Sequence, residues 1–106
     1  MSDDSADRFK MDPPLGGRFG SVGVAIREIG FGGCIVEHEC ALRVGGAGEL
    51  RFSWQKQPLV FAVLVLHCRF AMQDGERRFT SELQFSTLDS FDYRELGRII
   101  ESLDAV

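Results

Sequence analysis

The chain lacks any long apolar run. Its longest, Leu59 to Leu66, falls far short of the roughly 20 residues that a membrane-crossing helix needs, so no membrane insertion is expected. It also lacks an excess of positive charge. Lys and Arg number 12 against 16 Asp and Glu, a formal net charge of -4 at pH 7, and that sign excludes DNA or RNA binding driven by counterion release. Cysteine is scarce. Cys34, Cys40 and Cys68 are an odd number without a paired spacing, which excludes a disulfide framework and fits free thiols in a reducing compartment. The stretch Met1 to Asp7 is acidic and polar, without the basic start and apolar stretch of a secretory signal, so the expected location is cytoplasmic. There is no carboxylate pair at a motif-like spacing, and no third group to orient a Cys–His pair. The chain is therefore read as a non-enzyme with no metal and no cofactor.

What is present describes one globular domain: 106 residues, 44% hydrophobic and 26% charged, with only 3 prolines. A chain of this size buries roughly 60–70% of the surface its unfolded form exposes, enough for one core without disulfide or metal staples. Residues 1–17 carry four Asp, two Pro and a Gly pair, with few apolar groups to offset the entropy of ordering. They are read as a flexible N-terminal arm that orders on a ligand or partner, and residues 18–106 as a single domain.

From Ser21 onward the pattern alternates with period two. Val22, Val24 and Ile26 point one way and Gly23, Ala25 and Arg27 the other, as a half-buried strand requires. A glycine cluster, Gly30, Gly32 and Gly33, ends this strand at a turn or bulge, and a second strand follows over about Cys34 to Cys40. Leu50, Phe52 and Trp54 mark a third, and the apolar run from Leu59 to Phe70 a long and bent fourth. Asp74-Gly75 is a hairpin signal, after which Phe79, Ser81, Leu83 and Phe85 alternate with Arg78, Thr80, Glu82 and Gln84. The period then changes: Phe91, Leu96, Ile99, Ile100 and Leu103 fall on one helical face behind Asp89 or Ser90 as a cap. The fold class is thus mainly β, with five or six antiparallel strands closing into a small barrel and a C-terminal helix.

Several side chains invite a chemical role. Cys34, His38 and Cys40 with His67 and Cys68 are metal-ligand types, yet Cys34 and His38 lie about 13 Å apart along one strand at roughly 3.3 Å per residue, too far to share an ion. Only Cys40 or His38 with His67 or Cys68 could meet, and buried thiols with strand histidines are the plainer account. The Gly30 to Gly33 cluster could cradle an anion on its N–H groups or serve only as a turn. Glu37, Glu39 and Glu49 sit at outward strand positions. Phe52, Trp54, Phe61, Phe79 and Phe85 are placed to fill a core, whereas Phe19, Phe31, Phe70 and Phe91 stand near element ends, where an interaction patch would fall.

The order of elements and three local sequences resemble the PilZ domain. These are Glu28-Ile29-Gly30-Phe31-Gly32-Gly33, similar to that family's Asp/Asn-x-Ser-x-x-Gly turn; Phe79 to Phe85, similar to its last barrel strand; and Thr87-Leu88-Asp89 leading into the helix. The resemblance spans about Arg18 to Leu103. It implies a bacterial signalling module whose ligand is cyclic di-GMP, gripped by an Arg-x-x-x-Arg pair in the N-terminal arm together with the Asp/Asn turn. Onto this chain it carries Arg8, Glu28, Gly30 and Gly33 as ligand-binding positions, with Arg18 as a stand-in for the second arginine. The chain departs from the pattern at Asp12, which replaces that arginine, at Glu28 and Gly30, which replace Asp/Asn and Ser, and at Glu82, where glycine is usual. Losing one bidentate arginine and one hydroxyl donor removes about 3–5 kcal/mol at roughly 1.5–3 kcal/mol per charge-assisted bond. The resemblance with these departures implies a stand-alone degenerate adaptor, monomer or homodimer, acting by protein–protein contact in bacterial motility, pilus or surface-polysaccharide control. The alternatives are an atypical cyclic di-GMP receptor whose arm orders over the barrel, and a small β-barrel unrelated to PilZ.

Overall fold

A computed structural model describes residues 8–104. Its elements are β1 (Phe9–Phe19), β2 (Val22–Ile29), β3 (Gly33–His38), β4 (Ala47–Trp54), β5 (Gln57–Gln73), β6 (Glu76–Thr87) and α1 (Ser90–Asp104). The strands are antiparallel neighbours in the order β1-β2-β3-β6-β5-β4, and β4 pairs back onto β1 so that the sheet closes. Closure divides every strand into an inner and an outer face. Ile26, Val36, Leu50, Phe61, Val63 and Leu83 fill the interior and are almost wholly buried. The Phe61 ring centroid lies 5.7 Å from that of Phe52 and 5.1 Å from that of Phe85, a packed aromatic run across three strands.

The turns follow local chemistry. Asp74 and Gly75, at φ of 52° and 78°, make the two-residue left-handed turn that an Asp-Gly pair favours between twisted strands. Gln55 and Lys56, at 50° and 69°, make a second such turn without a glycine. Pro58 accordingly belongs to β5, opposite Ser53, and not to the turn that Gln55 to Pro58 suggest. The long strand β5 bends where its register to β6 shifts, between Ala62 and Val63 and between Val65 and His67. Helix α1 is capped reciprocally. Asp89 Oδ1 accepts from the Asp92 N–H at 2.8 Å, and Asp92 Oδ2 accepts from the Asp89 N–H at 3.2 Å. Leu96 and Ile99 are buried in the main core, so the helix packs on the barrel.

Two expectations are corrected. The arm drawn over 1–17 does not survive from Phe9 onward, because Phe9–Phe19 is strand β1, laddered to β2 and, through its last residues, to β4. Few apolar side chains are needed there. Met11 is buried in the core with Leu15 and Phe19 packed against it, and the backbone is laddered to β2 and β4. Residues 1–7 lie outside the described residues. Phe91, placed by period on the packed face, is 44% exposed, since the first turn of α1 projects past the barrel and only its later turns are covered.

Gly33 shows how tightly the site end of the barrel is built. A Cβ there would stand 2.0 Å from the Leu83 carbonyl oxygen, a backbone atom that cannot swing away. Gly33→Ala should therefore lower stability by about 2–3 kcal/mol or more. Gly23→Ala, with nothing within 4 Å of the new methyl, should be neutral or slightly stabilising. Urea unfolding of the two variants checks this.

Candidate outer-face site and interior polar pair

The outward side chains of five strands form a cross-strand row: Lys10, Glu28, Ile35, Glu82 and His67. Arg8, just before β1, meets β6: its Nη2 donates to Glu82 Oε2 in a short ion pair. Both partners are partly buried. The other carboxylate oxygen of Glu82 lies 3.9 Å from His67 Nε2. Beside them a cleft of about 180 Å³ is lined by Ile35, His67, Arg69, Thr80, Ser81 and Glu82. Arg8 Nε is buried and has no hydrogen-bond partner among the described residues.

Of the residues singled out from sequence, Arg8, Glu28, Gly30 and Gly33 gather at this end of the barrel. The Gly30 N–H donates to the Gly33 carbonyl at 2.9 Å and the Phe85 N–H to the Gly32 carbonyl at 2.9 Å, so the cluster is a bonded turn pressed against β6. Its contribution is close approach. None of these glycines has a positive φ; those that do are Gly20, Gly45 and Gly75. Arg18 is not brought in. It lies at the far end of β1, about 20 Å away at roughly 3.3 Å per residue along the β2 positions opposite, and there it donates to the Ser21 carbonyl at 2.9 Å. An extended strand cannot fold two arginines ten residues apart onto one ligand. Glu82, as the partner of Arg8, and Arg69 beside it were not named from sequence as parts of a site, and His67 was weighed only as a metal ligand. Alternation turns Glu82 outward, but only the non-local β3–β6 and β5–β6 pairings show what it meets.

Inside the barrel a second polar constellation is complete. His38 Nδ1 donates to the Cys40 carbonyl at 2.6 Å, which leaves Nε2 to accept from the Ser81 hydroxyl at 2.7 Å. A carbonyl only accepts, so the ring is the neutral Nδ1–H tautomer. Its face stacks on Phe79 at 5.9 Å. Both ring nitrogens are engaged, and His38 and Ser81 are 2% and 1% exposed, so the pair is a satisfied core contact. Cys68 Sγ accepts from the Leu42 N–H at 3.4 Å, and burial pushes the Cys34 thiol up to about 12 against the pull of nearby Arg8. Among the described residues no three His, Cys, Asp or Glu come together as metal ligands.

The fold is PilZ-like, as alignment with two solved structures shows. The structure aligns with the PilZ domain of YcgR from Escherichia coli, solved with c-di-GMP, at TM-score 0.75 and 17% identity, over 93% of this chain and 89% of that one. It aligns with MrkH of K. pneumonia in its apo state at TM-score 0.78 and 17% identity, over 99% of this chain and 53% of that one. No family model and no curated protein sequence matches the chain, so the likeness is one of three-dimensional structure.

Burial holds the His38 imidazole below its ordinary value of 6.5, outweighing the Cys40 hydrogen bond that favours the charged ring. The unfolded chain then binds the proton more readily than the native one. Stability should be full above about pH 6.5 and fall as pH drops through that value toward the lower native one. His38→Gln should be less stable at pH 7 and show a flatter decline between pH 7 and about pH 5. Thermal melts across that range check the sign.

Proposed function

We propose that the chain is a PilZ-like signalling adaptor that acts through protein–protein contact, with weak or no binding of cyclic di-GMP. The observation that carries this is the Arg8–Glu82 pair. The one arginine retained at the ligand end of the barrel is already held by an internal carboxylate, Asp12 stands at the second arginine's position, and Arg18 lies at the other end. A dianionic ligand would have to displace Glu82 and then sit beside its charge. The surface left for a partner is aromatic. Phe31, on the β2–β3 turn, lies 6.0 Å from Tyr93 of α1, and with Phe91 the three are 41–54% exposed. Control of bacterial motility, pili or surface polysaccharide in the cytoplasm is the setting in which such an adaptor would work.

A second reading, an atypical cyclic di-GMP receptor, draws on two observations. Arg8, Glu28 and the Gly30 to Gly33 turn share one end of the barrel, and a structural neighbour of the same fold was solved with c-di-GMP. In that case Arg8 would exchange Glu82 for a phosphate.

Calorimetric titration with cyclic di-GMP at physiological salt, with cyclic di-AMP and GTP as controls, separates the two. The adaptor reading expects no saturable heat at micromolar ligand at either of two temperatures. It also expects Glu82→Gln, which frees Arg8, to bind at least about tenfold more tightly than the native chain, a gain of about 1.4 kcal/mol. Selective micromolar binding by the native protein, abolished by Arg8→Ala, would establish the receptor instead.

A further inference from the structure

A closed barrel has no sheet edges, yet three strand margins here run past their last lateral partner. β1 from Phe9 to Gly16 has β2 on one side only, β6 from Glu76 to Arg78 has β5 on one side only, and β5 runs on beyond Leu64, its last pairing with β4. The first margin carries Asp12, Pro13 and Pro14, and the second carries Glu76, Arg77 and Arg78. Proline and charge are the usual devices that stop an edge from recruiting another strand. The third margin carries Arg69 but no proline, and the residues between Arg69 and the turn have neither. The loop before β4 covers β5 as far as Cys68, whose sulfur takes the Leu42 N–H. Beyond it Phe70, Ala71 and Met72 are uncharged, and Phe70 and Met72 are 53% and 59% exposed.

The hairpin turn fixes which backbone groups this margin offers. Gln73 pairs with Glu76 across the two-residue Asp74-Gly75 turn and so exchanges both hydrogen bonds with it. Bonded and non-bonded pairs alternate along an antiparallel ladder. Phe70 and Met72, opposite Phe79 and Arg77, therefore direct their N–H and C=O groups away from β6, to the open side. We propose that this margin pairs with the same margin of a second copy of this chain, antiparallel, about a two-fold axis at Ala71.

That register is self-complementary. It sets Phe70 against Met72 of the other copy, twice, as hydrogen-bonded pairs, and it brings a thioether against an aromatic ring. Ala71 faces Ala71 across the axis as a close non-bonded pair, and Arg69 faces Gln73, so no two like charges are directly opposed. The margin is also polar end to end. Arg69 stands at one end and Asp74 at the other, so the antiparallel arrangement brings the basic end of each copy to the acidic end of its mate. Arg78 is taken up within its own hairpin by Glu76 at 3.7 Å. The outcome is a continuous four-stranded sheet running β6-β5-β5-β6 through two barrels.

Sedimentation equilibrium of the full chain, from low micromolar to several hundred micromolar, should show mass rising from one chain toward two. Met72→Pro removes an N–H that only the second copy would use. It should keep the mass at one chain throughout while leaving the thermal melt close to that of the native protein. In a Cys40→Ser, Cys68→Ser background, Ala71→Cys should oxidise readily to a covalent dimer, since Cα atoms of a non-bonded pair stand about 4.5 Å apart, within disulfide reach. Gln73→Cys, equally exposed but off the axis, should not. A single-chain mass at every concentration, dimerisation unaltered by Met72→Pro, or equal cross-linking at 71 and 73 would each overturn the proposal.

Discussion

Three residue pairs, Gly17 with Phe52, Arg18 with Arg51 and Phe19 with Leu50, close β1 onto β4 and turn a ribbon of hairpins into a barrel. The seam is built on close approach. A Cβ on Gly17 would stand 2.8 Å from the Arg51 carbonyl oxygen, and one on Gly48 would stand 2.9 Å from the Phe19 ring, which lies across the joint. The pair Arg18 and Arg51 opposes like charges, an arrangement that weakens a ladder. Each arginine is drawn elsewhere, Arg18 to the Ser21 carbonyl and Arg51 to Glu49, so the seam does not bear the full repulsion. Were it to open, β1 would keep its ladder to β2 but lose its tie to the other side of the sheet.

Once the sheet is closed, successive residues face different media. Ser81 and Glu82 are neighbours in sequence, yet Ser81 is sealed inside with His38 and Glu82 stands outside with Arg8. The two polar contacts obey different rules. The inner one is neutral, fully hydrogen-bonded and tolerable in a low-dielectric core, since a charge there would be far more costly to bury than a hydroxyl. The outer one is ionic and partly screened, so its net contribution to stability is modest and its main effect is to hold Arg8 in place. The guanidinium of Arg8 is thereby committed to an internal carboxylate.

Most of the barrel was legible as alternation. Val24, Ile26, Leu50, Phe52, Leu83 and Phe85 lie inside as their period requires, and the Asp74-Gly75 turn and the Asp89 cap stand where their chemistry puts them. What stayed hidden depends on pairing between distant segments. β1 looked like an arm because a run of Asp, Pro and Gly carries no period, and its order comes from backbone bonds to β2 and β4. Arg18 seemed able to replace a missing arginine only while residues 1–17 counted as flexible; as part of an extended strand it points to the wrong end. Glu82 could be seen to face outward, but not that Arg8, 74 positions away in sequence, would meet it. Turn and cap signals are local, whereas ion pairs across a barrel are set by register.

Strand length shapes the surface as much as sequence does. β5 has 17 residues and β4 has 8, so a barrel of even height cannot absorb the excess, and the β5–β6 hairpin must overhang. Phe70, Met72 and Phe79 continue the inner, apolar face of the barrel, and the overhang carries Phe70 and Met72 past the mouth, where they are largely exposed. The same geometry explains why the overhang is aromatic on one face and rich in arginine and acid on the other. Each strand keeps its period of two after leaving the core that gave the period its purpose. Apolar side chains are left outward on the overhang and at the Phe31–Tyr93 contact, as well as singly at Val44 and Val60. Apolar surface of that kind gains free energy when a macromolecule covers it, and a small charged ligand offers it far less.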